Sequence, residues 1–390
     1  MSAPDPVAPF VDRGLDMEAI ERAFRARSIE TAGWCFTATG SRFATHPSPG
    51  AARNLDEKLE DAGTVHRLTD AAPETALNTL VDLVDMDPGE VRERCDHHGI
   101  RIGSLCPNLS RDPRFRFGTL THVDAGTREA ALDLVTATLP DAATYGATAL
   151  SLWFPDGLHY PGQGDIGARR ERLGEGLERV AAAVPDGMQM LLEYKLYEPA
   201  PYHTDVPDWG TALELSRRAG PNCTVLVDFG HHAQGVNIPA ILSLLGAEGR
   251  LGALHLNDRL NADDDLTLGS INPSMMVLSM IELAALPKVD AVRFGLDQHH
   301  TAKQPLVATV QSVVRAQEYW LKALLLDRDA LNEAQARNDT LVAERVIENA
   351  VTTDVRPLAA HWREKTGLAP DPVAELLGSG IVERNIEMRG

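Results

Sequence analysis

Eight short apolar segments alternate with longer segments of helical period, no glycine-rich GxGxxG turn follows any of them, and a charged helical tail closes the chain. Together these observations predict an α/β fold, a (β/α)8 barrel of the TIM type with a C-terminal helical extension, rather than a doubly wound sheet. The chain of 390 residues divides on this reading into a barrel over 1–320 and an extension over 321–390 suited to subunit contacts.

The expected strands are GWCFTAT (33–39), ALNTLVDLV (76–84), RIGSLCPNL (101–109), TALSLWF (148–154), MQMLLEYKLY (188–197), CTVLVDFG (223–230), LGALHLND (251–258) and AVRFGLDQ (291–298). Each is short, apolar and bounded by turn formers. Helical periodicity marks 90–97, 127–145, 167–183, 209–219, 238–245 and 275–285 between them, with Pro, Gly and Asp at their ends. Past the eighth strand come 307–326, a charged helical run over 327–350, and a tail carrying Pro357, Pro370 and Pro372.

Composition narrows the function. Lys and Arg number 37 against 56 Asp and Glu, a formal charge of −19 that repels phosphate backbones and anionic membranes. Nucleic acid is therefore a poor partner. A hydrophobic share of 44% is that of a globular chain. No apolar stretch approaches the ~20 residues of a bilayer span, and the start MSAPDPVAPFVDRG lacks a signal-peptide pattern, so a cytoplasmic protein is expected. Cys35, Cys95, Cys106 and Cys223 form no CxxC pair and read as free thiols. No G-x-S-x-G motif supports acyl transfer.

Catalytic groups of such barrels project from the C-terminal ends of the strands. Four consecutive strands end in ionisable residues: Glu193 with Lys195 two positions on, Asp228 followed by His231, His255, and Asp297 followed by His299. A single strand-end carboxylate is ordinarily a satisfied hydrogen-bonding group, but three carboxylates and an imidazole at one mouth are costly without a cation. A divalent metal resolves the conflict, and oxygen-rich ligation with one imidazole suits Mn²⁺, with Mg²⁺ or Co²⁺ as alternatives. The loop after the seventh strand carries Asp263, Asp264 and Asp265 in NADDDLT, ordinarily a solvated turn, but next to a metal already bridged by Asp228 the outer two, Asp263 and Asp265, could complete a second site with His231. Trp34, Phe43 and Trp153 are candidate aromatic walls of a sugar pocket.

At these residues the sequence resembles the L-rhamnose isomerases of the broad-specificity bacterial type, within the xylose-isomerase-like TIM barrels. The resemblance rests on ARNLDEKLEDAGTVHRLT, FGTLTHVD, LSLWFPDGLHYPGQ, LLEYKLYEP, VDFGHHAQGVN, HLNDRLNADDDLTLGS, FGLDQHH and TDVRPL. It implies a structural metal on Glu193, Asp228, His255 and Asp297, and a catalytic metal on Asp228, His231, Asp263 and Asp265. It further implies Lys195, Trp34 and Trp153 as sugar contacts, a homotetramer, and Phe43 given to a neighbouring subunit's site. The implied reaction moves hydrogen between C1 and C2 of an aldose, L-rhamnose to L-rhamnulose.

Two stretches depart from that pattern. The family's LH-x-P-W-D stretch is replaced by LNTLVD, putting Asn78 at the histidine and Val81 at the tryptophan, and the serine after DQ is His299. An amide hydrogen-bonds a sugar oxygen but carries no proton near neutrality. The expected catalytic set is thus Lys195, Asn78, Asp263 and His299. Isomerisation or epimerisation of a different modified sugar with His299 as the imidazole, or sugar binding without turnover, are the alternatives.

Overall fold

The computed structural model describes residues 5–40, 44–196, 198, 201–261 and 263–390. Eight strands form one sheet in sequential order: β1 (Thr31–Ala32), β2 (Glu74–Asn78), β3 (Arg101–Cys106), β4 (Ala149–Leu152), β5 (Gln189–Glu193), β6 (Cys223–Asp228), β7 (Leu251–Leu256) and β8 (Arg293–Leu296). All neighbours pair in parallel. One residue closes the ring: Glu30 N–H donates to the Phe294 carbonyl (2.7 Å) and the Glu30 carbonyl accepts from Leu296 N–H (2.9 Å).

The helices that return the chain are α1 (Leu55–Thr69), α2 (Pro88–His98), α3 (Ala125–Thr136), α4 (Ile166–Ala183), α5 (Trp209–Ala219), α6 (Ile238–Ala247), α7 (Pro273–Ala284) and α8 (Pro305–Leu324). Asn54, Asp87, Asp124, Asp165, Asp208, Asn237 and Asn272 cap the first seven by accepting from the third helical N–H, and Gln304 caps the eighth. Such a cap contributes about 1 kcal/mol, so part of the acid excess serves the fold. No helix among the described residues is long and apolar enough to cross a membrane.

The barrel is as the sequence predicts, with local corrections. The first strand lies before the expected 33–39, because Gly33–Phe36 turn as a 3-10 helix. Gly33 sits where a Cβ would stand 3.2 Å from Leu77 Cδ2, and the turn swings Trp34 into the mouth. The second strand stops at Asn78 instead of 84, since the Asp82 carboxylate takes Asn78 N–H (2.9 Å) and the Asn78 carbonyl takes Val81 and Asp82 N–H. The helix expected over 127–145 breaks after Thr136 into the short turns Leu139–Asp141 and Ala142–Tyr145, at Pro140. The run 327–350 is two helices, α9 (Arg328–Ala336) and α10 (Thr340–Thr352), parted at Asn338 (φ 54°). Helix α1 and an N-terminal helix Met17–Ala26 have no counterpart among the expected elements.

Position 320 falls inside α8, where Trp320 packs edge-on against Phe294 of β8 and donates to the Ala23 carbonyl. The chain ends in α11 (Arg356–Lys365), α12 (Pro372–Gly378) and α13 (Ile381–Arg389). Buried Arg389 ties α13 to α1 through Asp61 (2.7 Å) and Glu60 (2.9 Å).

Strand side chains alternate in direction, so every second residue points into the barrel. Three levels result. Glu74, Ser104 and Arg293 join Glu30 in a polar floor. Ala149, Leu191, Leu226 and Ala253 pack as an apolar plug. Two residues further along the same strands stand Ser151, Glu193, Asp228 and His255, and the plug holds them at the mouth.

Candidate active site and metal centre

Glu193, Asp228, His255 and Asp297 converge as the strand-end reading requires, with one ligand-type atom of each within 4.8 Å of all the others. His255 Nδ1 lies 3.2 Å from Glu193 Oε1, 3.6 Å from Asp297 Oδ2 and 3.7 Å from Asp228 Oδ2. Asp228 is fully buried at 0% exposure, and two neutral donors fix it: Gly230 N–H (2.6 Å) and the Asn257 amide (3.0 Å to each oxygen). The same amide reaches the Asp297 carbonyl (3.1 Å), while Trp34 donates its indole N–H to Asp297 Oδ1 (2.7 Å).

The aspartate loop after β7 divides its labour. Asp264 accepts from Leu260 and Asn261 N–H (2.6 and 2.7 Å) and holds the turn. Asp263 and Asp265 take left-handed backbone (φ 52° and 50°), which aspartate tolerates better than most residues, and both line the mouth. Asp263 meets His231 Nε2 (3.0 Å) and Lys195 Nζ (2.5 Å), and Lys195 also pairs with Glu198 and stands over the Trp153 ring. His231 Nδ1 is 3.2 Å from Glu193 and 3.0 Å from the Tyr194 carbonyl. Asp265 pairs with His299 Nδ1 (3.0 Å), and these two form a second compact group with Asp297. Asp228 stands 3.9 Å from His231, the pair to which the sequence reading assigned a second site with Asp263 and Asp265, and the compact group of Asp265, Asp297 and His299 adjoins them.

These charges strain against one another. Burial pushes Asp228 up to about 7 against the pull of His231. Burial disfavours charge on His231 and His255 as well, yet the surrounding acids, Asp228 foremost for His231 and Glu193 for His255, raise both to about 10. Burial lifts Asp265 to about 6 despite His299. Burial opposes charge on Lys195 too, but Asp263 and Glu198 raise it above its ordinary value, so it stays an ammonium. A basin that draws protons onto imidazoles this strongly attracts a dication with the same field, and its donors, three carboxylates and an imidazole, are those of Mn²⁺ or Mg²⁺. The residues present fit a metal.

The centre forms one wall of a cavity of about 700 Å³. Trp34, Trp153, Lys195, Asn78 and His299 line it together with the metal-type ligands, while Phe43 lies outside the described residues. The sequence reading missed Asn257, although it stands two residues after His255 and hence on the same strand face. It also missed the buried Lys58–Asp82 pair (2.5 Å), which sits against Asn78 and joins α1 to the β2 loop. No spacing signals that pair.

Residues 57–292 match the family described as the xylose isomerase-like TIM barrel. A protein of Mesorhizobium japonicum named "probable sugar isomerase" is 35% identical over 377 residues, 94% of this chain and 87% of that one. A protein of Rhizobium meliloti with the same description is 34% identical over 381 residues, 95% of this chain and 88% of that one. Among solved structures, a xylose isomerase domain protein from Alicyclobacillus acidocaldarius shares the fold at a TM-score of 0.55 and 16% identity, over 77% of this chain and 99% of that one. These relatives extend the likeness to sugar isomerases without naming rhamnose. The chain belongs to the xylose isomerase-like TIM barrel family.

Proposed function

We propose that this chain is a metal-dependent aldose–ketose isomerase of the L-rhamnose isomerase kind, interconverting L-rhamnose and L-rhamnulose or related hexoses by moving hydrogen between C1 and C2. The observation that carries this reading is the convergence of Glu193, Asp228, His255 and Asp297 at the mouth. The naming of relatives as sugar isomerases supports it. The four residues would hold one Mn²⁺, Mg²⁺ or Co²⁺, and Asp263, Asp265 and His231 stand beside it to receive a second that shares Asp228. When bound, such a cation stabilises negative charge developing on the substrate oxygens.

Lys195, buried and permanently protonated between Asp263 and Glu198, donates to a substrate oxygen and cannot serve as base. Trp153 keeps a buried indole N–H without a partner among the described residues, a second donor for a sugar hydroxyl, and its ring walls the pocket. Asn78 hydrogen-bonds substrate but moves no proton. His299, raised above its ordinary value by Asp265 although burial opposes it, presents a transferable proton at the cavity. Residues 321–390 are assigned to contacts in a homotetramer, and a monomer by light scattering would remove that part.

Incubating the Mn²⁺-loaded protein with L-rhamnose and other aldohexoses is expected to yield ketose. No ketose from any of them overturns the proposal. A second reading, epimerisation or isomerisation of a modified sugar with His299 as the proton carrier, is favoured by the His299–Asp265 pair. Turnover lost in His299→Ala with metal retained selects it, and unchanged turnover rejects it.

A further inference from the structure

The wall opposite the metal-type cluster has a chemistry of its own. In a ring of eight strands β3 stands across from β7, and the cavity lining there comes from Asn78 at the end of β2 and from Asn108, Ser110 and Arg111 after β3. Both asparagine carbonyls accept a backbone N–H, Asn78 Oδ1 from Leu80 (3.0 Å) and Asn108 Oδ1 from Ser110 (2.9 Å), which turns their amide nitrogens away from the backbone. Their amide N–H₂ groups have no acceptor among the described residues.

Among the described residues four Lys and Arg side chains line the cavity, and three are matched: Arg53 by Glu57 (2.6 Å), Lys58 by Asp82 (2.5 Å) and Lys195 by Asp263 (2.5 Å). Arg111 has no carboxylate partner among the described residues. The wall thus offers two amide donors, the Ser110 hydroxyl and an unmatched guanidinium. An unmatched guanidinium beside amide donors favours a group that accepts and carries negative charge over a neutral hydroxyl, because hydrogen bonds between ionised partners are roughly twice as strong. At the opposite pole four lining carboxylates, Glu193, Asp263, Asp265 and Asp297, repel a free anion and leave that end to the carbonyl of a substrate.

We infer that, among the related hexoses the site admits, an aldose bearing an anionic group, a carboxylate or a phosphate ester, at the end remote from its carbonyl is bound in preference to neutral aldoses such as L-rhamnose, read by Arg111 with Asn78 and Asn108. The inference rests on the isomerase reading for the carbonyl end alone. Guanidinium and amide groups of this kind bind carboxylate and phosphate by the same charge-assisted hydrogen bonds, so the geometry fixes the shared chemistry and the experiment separates the two.

Calorimetry on the Mn²⁺-loaded protein compares D-glucose, D-glucuronate and D-glucose 6-phosphate, and the matching D-mannose series, at low salt. One anionic member is expected to bind at least about tenfold tighter than its neutral parent, a difference of ~1.4 kcal/mol. The ratio is expected to shrink with added salt and to fall severalfold in Arg111→Gln, with the carboxylate or the phosphate identified by which member wins. Equal binding of neutral and anionic members, or an advantage that survives Arg111→Gln, overturns the inference even if ketose forms. A selective anion whose advantage depends on Arg111 supports the inference even without ketose, an outcome that overturns the isomerase reading instead.

Discussion

The floor and the mouth of the barrel both hold buried acids, and they balance them differently. At the floor Arg293 stands 3.1 Å from Glu74 and 3.7 Å from Glu30, while the Ser104 hydroxyl donates to Glu30 (2.9 Å). A permanent cation is built into the chain there, and the space is filled: a Cβ on Gly103 would stand 2.2 Å from Glu30 Oε1. At the mouth Glu193, Asp228 and Asp297 have imidazoles, an indole and an amide around them, and a cavity beside them. The first arrangement completes itself with protein groups and serves the fold. The second is completed by protons on His231 and His255, and its donors fit a metal in their place.

Substitution breaks the comparison most sharply at Asp228 and Arg293. Asp228→Asn is expected to abolish Mn²⁺ binding and cut turnover by at least ~10³-fold, about 4 kcal/mol of transition-state stabilisation. The metal-free protein is expected to keep or gain stability in urea, because the buried carboxylate that burial drives up to about 7 is gone. Arg293→Met does the reverse: it strands Glu30 and is expected to cost about 3–5 kcal/mol in urea unfolding, with Mn²⁺ affinity of the folded protein little changed.

The pH dependence of metal binding sharpens the same contrast. His231 and His255 are raised to about 10, so at neutral pH both hold protons that a metal displaces. Affinity is therefore expected to rise with pH from about 6 towards 10, by up to about tenfold per pH unit for each imidazole, measured by Mn²⁺ titration. Smaller again is the outer support. Asn257→Leu, which removes the amide shared by Asp228 and Asp297, is expected to lower Mn²⁺ affinity by about 10–100-fold, read by calorimetry.

The mouth was legible in the sequence and the floor was not. Strand-end polar residues stand out against apolar runs, and their order along β5 to β8 dictates that Glu193, Asp228, His255 and Asp297 meet. Glu30, Glu74 and Arg293 sit at strand beginnings, where a charged residue looks like any solvated turn, and only ring closure through Glu30 brings them together. GWCFTAT is apolar enough to read as a strand, but close packing of Gly33 on Leu77 turns it, a tertiary effect without a local signal. The Asp triplet was ambiguous for the same reason: which aspartate holds the turn and which two face the cavity depends on the left-handed backbone at 263 and 265.

The central claim is that the four strand-end ligands form a metal centre. Anomalous scattering from crystals soaked in Mn²⁺ tests it most directly. The expected result is a peak bonded to Glu193, Asp228, His255 and Asp297 that vanishes in Asp228→Asn, whereas no peak in that basin at saturating Mn²⁺ would contradict the account.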